Sequence, residues 1–162
     1  MSLPAPLVPV SWGELLDKIA ILEIKAERIA DPGKRANVCK ELDALRRARD
    51  AALAVACRRA TGGGTARGGA RGPAAAAPVA GETELEGLAV ELRAVNEALW
   101  DIEDGIRLAE RARDFGPRFI ALARAVYRTN DRRAALKRRI SERLASDLVE
   151  EKSYADPADL AA

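Results

Sequence analysis

Apolar residues recur every three or four positions along most of this chain, and four stretches hold that spacing long enough to be helices. The first follows an extended Val8-Pro9-Val10 and opens at Ser11, with Glu14 three residues later in the pattern of a capping box. Trp12, Leu15, Ile19, Leu22, Ala26 and Ile29 form its stripe, and Asp31-Pro32-Gly33 is expected to end it and turn the chain. The second helix is predicted from about Lys34 to Ala60, with Val38, Leu42, Leu45, Ala52 and Ala56 inward. Arg49 interrupts that stripe, and Ala48 and Leu53 are expected to cover the gap.

The pattern stops at Thr61. Residues 61–82 are rich in Gly, Ala, Pro and Arg and read as a disordered linker. Thr83 and Glu86 then form a second capping box. Leu85, Leu88, Leu92, Val95, Leu99, Ile102, Ile106 and Ala109 alternate 3-4-3-4, the seam of a coiled coil. Phe115-Gly116 breaks that helix, and Pro117 sits where proline starts the next. The fourth helix is predicted to run to Leu148, with Phe119, Ile120, Ala123, Val126, Tyr127, Leu136, Ile140 and Leu144 apolar. Thr129-Asn130-Asp131 breaks its stripe midway.

No strand pattern competes, so the fold class is all-α. The expected architecture is a four-helix antiparallel bundle of two helical hairpins with coiled-coil-like packing. Its parts are an extended N-terminal arm at 1–10, hairpin 1 at 11–60, the linker at 61–82, hairpin 2 at 83–148 and a C-terminal tail at 149–162.

Composition narrows the chemistry. The 162 residues contain no His, which excludes imidazole ligands and bases, and two Cys cannot build a four-thiolate zinc site. No metal or cofactor is expected. Cys39 and Cys57 fall about 27 Å apart along one helix, beyond disulfide reach within the chain. Both read as small buried residues, and free thiols point to the cytoplasm. The N-terminus has no basic segment, prolines interrupt its apolar run, and no stretch is long enough to span a bilayer, so no membrane association is expected.

The overall charge of +2 hides a sorting by helix. Residues 11–31 carry 3 basic and 5 acidic side chains, and residues 34–59 carry 8 and 3. Residues 82–114 carry 4 and 10, and residues 117–147 carry 9 and 3. Alternating acidic and basic helices are expected to pair and fix register. That pairing cancels the basic field, which argues against a nucleic-acid partner.

The candidate site lies in the middle of hairpin 2. Asn96, Trp100 and Glu103 lie on or beside the seam of the third helix, and Arg124, Tyr127, Arg128, Asn130, Asp131 and Lys137 on or beside the core-facing side of the fourth. With a tight turn at 115–116, antiparallel partners should sum to about 231. Glu103 then comes level with Tyr127 and Arg128, and Trp100 with Asp131. Polar groups buried there must pair with one another or hold a ligand.

Three blocks carry a resemblance: VPVSWGELLDKIAILEIKAERI at 8–29, VNEALWDIEDGIR at 95–107 and FGPRFIALARAVYRTNDRRAALKRRI at 115–140, closed by EEKSY at 150–154. Together they resemble an uncharacterised bacterial family, known as a domain of unknown function, whose members occur beside cell-surface polysaccharide genes. The resemblance supplies no activity, substrate or catalytic residue. Two functions stay open. One is a cytoplasmic interaction or scaffold protein that forms a homo-oligomer or binds a protein partner. The other is a small all-helical enzyme or binding protein for an anionic metabolite, using the mid-hairpin cluster.

Overall fold

A computed structural model describes residues 6–61, 80–151 and 153, and every described element is helical. The helices are α1 (Trp12–Arg28), α2 (Pro32–Thr61), α3 (Ala80–Ala112) and α4 (Pro117–Arg143). They form the expected all-α assembly of two hairpins, α1 with α2 and α3 with α4. Residues 62–79, most of the predicted linker, and the end of the tail lie outside the described residues.

Helix ends differ from the sequence reading in three places. Asp31 starts α2 instead of turning the chain: its Oδ1 accepts from Lys34 N at 2.8 Å, and Pro32 takes the first helical position. α3 begins at Ala80, so Thr83 lies inside the helix and is not its cap. α4 stops at Arg143, short of Leu148, in a Schellman turn. There Ser146 N donates to Ser141 O at 2.8 Å, Ala145 N to Glu142 O, and Ala145 adopts φ 48°. α3 closes in the same way around Arg113, at φ 54°. Neither turn contains glycine, the usual sequence signal.

α1 is the centre of the molecule. It packs on α2, α3 and α4, whereas α2 packs on α1 alone among the described elements. α1 therefore serves two cores. Ile19 and Leu22 meet Leu42 of α2. Trp12 and Leu16 pack against the larger cluster of Leu88, Leu92, Val95, Leu99, Leu136 and Ile140. Each of those six contributes roughly 1.5–3 kcal/mol on burial.

Length explains what stays exposed. At 1.5 Å per residue α1 is about 26 Å long and α2 about 45 Å, so α2 outruns α1, and its residues 51–55 are exposed. Ala52, expected inward, and Leu53, expected to cover Arg49, are exposed accordingly, and the side chain of Ala56 lies outside the description. α1 also ends near Asp101, where Arg28 pairs with that residue. Beyond it α3 and α4 have only each other. Ile120, Ala123 and Tyr127, expected in the core, are exposed there. Cys39 is exposed too, a correction to its reading as a buried residue. No described helix is long and apolar enough to cross a membrane.

Candidate functional site

The polar chemistry of the molecule gathers where the start of α1 meets α4. Ser11 caps α1 as predicted, its Oγ accepting from Glu14 N at 3.2 Å. The next two free amides turn to α4 and to the turn that follows it. Gly13 N donates to Ser141 Oγ at 3.0 Å, and Trp12 N to Ser146 Oγ at 3.3 Å. Helix-terminal N–H groups that lack partners in α1 are thus satisfied by α4 and by the turn that closes it. Gly13 permits the approach, since a Cβ there would stand 2.3 Å from the Lys137 carbonyl oxygen.

One turn on, Asp17 is 2% exposed and accepts three hydrogen bonds. Arg133 donates Nε to Oδ1 at 2.9 Å and Nη2 to Oδ2 at 2.5 Å, and Asn96 donates Nδ2 to Oδ1 at 2.9 Å. The carboxylate raises the Arg133 pKa against the opposing effect of burial. This node ties α1, α3 and α4 together at one point.

A second node surrounds Lys137. Its buried ammonium lies between the carboxylates of Glu14 and Glu150. Burial depresses its pKa, but the two hydrogen-bonded carboxylates outweigh that, and the net shift is upward. Glu14 thus spends its side chain on Lys137 instead of returning to the Ser11 amide, which leaves the predicted capping box half formed. Glu151 grips Arg138 with both oxygens at 2.7 Å, and a cavity of about 220 Å³ lies between this tail and Ser11, Lys137 and Ser141.

The predicted mid-hairpin cluster does not assemble as one site. Gly105 faces Leu122 and Glu84 reaches Arg143, each pair adding to 227, one helical turn from the expected 231. Glu103 is exposed and pairs with Arg107 of its own helix at 3.2 Å, not with α4. Arg124, Arg128 and Asp131 are exposed, Tyr127 is at the surface with the Arg128 guanidinium 5.8 Å from its ring centroid, and Asn130 is half-buried. Lys137 is buried, but on the face toward α1.

Asn96, Trp100 and Glu103 do come together, in a different place. They line a groove of about 390 Å³ with Ile21 and Lys25 of α1, Leu99, Asp104 and Arg107 of α3, and Arg133 of α4. Arg28 stands over the Trp100 ring, 5.8 Å from its centroid. Sequence reasoning weighed Asp17 only as half of a Glu14–Asp17 carboxylate pair at metal-ligand spacing, and it missed Lys25 and Arg133: it placed the site within one hairpin, which left Lys25 of α1 out, and it did not single out Arg133 on α4. The available signal was Asp17 itself, a carboxylate one turn beyond the cap beside a densely apolar run. Among the described residues no cluster of three or more Cys, Asp or Glu is placed to hold a metal ion. No protein-family model, curated protein or solved structure matches the chain.

Proposed function

We propose that this protein is a helical interaction protein that self-associates through the free end of the α3–α4 hairpin. The observation that carries this reading is the stripe of Ile120, Ala123 and Tyr127. Their spacing of three and four puts them on one helix face, and all three are exposed where α1 no longer covers the hairpin. An apolar helical stripe next to a regular seam is the surface on which a further helix packs. Arg118, Arg124 and Arg128 flank the stripe without ion-pair partners among the described residues, and Glu110 on α3 is likewise unpaired. Arg111 and Arg113 of α3 are exposed and without ion-pair partners among the described residues at the same end, so the apolar stripe, not charge, carries the association.

The exposed Cys39 thiol supports a reducing compartment, the cytoplasm, for such an assembly. Light scattering across micromolar concentrations tests the proposal. The wild-type chain should form a dimer or higher oligomer, and the double variant Ile120→Glu with Tyr127→Glu should be monomeric with unchanged helix content. A wild-type chain that stays monomeric throughout that range overturns it.

A further inference from the structure

We propose that the groove between α1, α3 and α4 binds a small 2-hydroxycarboxylate carrying an apolar body. The charges leave a cation available there. Of the cations on α1, Lys18 holds Glu41 and Arg28 holds Asp101, while half-buried Lys25 has no partner among the described residues. Its neighbours on α1 are already engaged, Glu23 by Arg46 and Arg93 and Glu27 by Arg93. On the facing wall Glu103 and Asp104 lie on Arg107. An anion entering the groove would supply the counter-charge that Lys25 lacks.

The rest of the groove specifies what kind of anion. Arg133 uses Nε and Nη2 on Asp17, and Nη1 remains free to donate to a carboxylate. Asn96 gives Nδ2 to the same Asp17 and is 5% exposed, yet its Oδ1 receives no bond from the protein. No fully buried side-chain oxygen among the described residues is left without a partner, so Asn96 Oδ1 keeps some contact with solvent, and Asn96 is one of the residues that line the groove. Asp17 Oδ1 accepts from both Arg133 and Asn96, which fixes the two side chains beside each other. A carboxylate on Lys25 and Arg133 would therefore have a hydrogen-bond acceptor directly next to it. A hydroxyl on the adjacent carbon donates to that acceptor, while Leu99 and Trp100 meet an apolar substituent. The groove volume of about 390 Å³ accommodates such a molecule. The site is separate from the stripe on α4, so it stands or falls independently of self-association.

Mandelate, which combines carboxylate, neighbouring hydroxyl and phenyl ring, is the probe, with phenylacetate as the control lacking only the hydroxyl. The chain contains two tryptophans, so a nitrogen–proton correlation spectrum has two indole signals, assigned with Trp12→Phe. Mandelate should shift the Trp100 signal saturably below about 10 mM and leave that of Trp12 in place. Phenylacetate should bind more weakly. Lys25→Gln should lower mandelate affinity about tenfold or more, with unchanged melting temperature and helix content. Absence of a saturable shift, equal binding of phenylacetate, or undiminished affinity in Lys25→Gln each overturns the proposal.

Discussion

At the scale of single residues, the joint between α1 and α4 concentrates the positions least tolerant of change. Gly13 is there because its Cα lies against the Lys137 backbone, which cannot move aside as a side chain can. Gly13→Ala should cost about 3 kcal/mol in chemical denaturation, despite alanine's better helix propensity. Asp17 is a different case. Asp17→Ala leaves the Arg133 guanidinium half-buried and unpaired and should cost about 3–5 kcal/mol. Replacing Asp17, Asn96 and Arg133 together by leucines should recover most of that loss, because no polar group is then stranded. Denaturation of the single and triple variants checks both statements. A mild Asp17→Ala would show that the node carries little of the stability.

At the scale of elements, the helices are formed by local pattern and ended by local chemistry that is not always optimal. Gly87 lies exposed within α3, and an added Cβ would meet nothing within 4 Å. Gly87→Ala should therefore raise stability by about 1 kcal/mol through reduced backbone entropy of the unfolded chain and better helix propensity. The end of α4 holds the complementary case. Ala145 closes the Schellman turn at φ 48°, which places its Cβ in a crowded conformation that glycine avoids. Ala145→Gly should also stabilise the protein, by about 1 kcal/mol or less. A shift of the thermal midpoint upward in both variants is the expected result, and a fall in either would contradict the corresponding backbone argument.

For the molecule as a whole, α1 is the shared wall of two cores, and its docking to α4 includes ion pairs of Arg133 and Lys137. The folded state raises the Lys137 pKa because Glu14 and Glu150 outweigh the burial that opposes them. A raised pKa means that the folded state holds the proton more tightly than the unfolded chain. The resulting stability is fully present below the ordinary lysine range and is lost as pH rises through the folded value. Denaturation midpoints measured from about pH 9 to about pH 11 should fall, and the fall should be smaller in Lys137→Met. An equal decline in both proteins would assign the alkaline sensitivity to other groups.

The helices, the break at Phe115-Gly116, the start at Pro117 and the seam from Leu85 to Leu99 follow from sequence alone. Each depends on neighbours within a turn or two, where spacing dictates which face is apolar. The pairing of helices of opposite charge was equally legible, since Arg132 meets Glu91 and Arg143 meets Glu84 across hairpin 2. The site was not. Asn96 and Trp100 were recognisable as polar or aromatic groups beside a seam, but their partners Asp17, Lys25 and Arg133 come from segments far apart along the chain. Which of them meet depends on how α1 crosses hairpin 2, and on an interhelical register that a one-turn shift changes entirely. Tertiary structure alone decided that α1 covers only half of that hairpin. The same seam residues that Leu16 helps bury at one end are therefore followed, at the other, by an apolar face left to solvent.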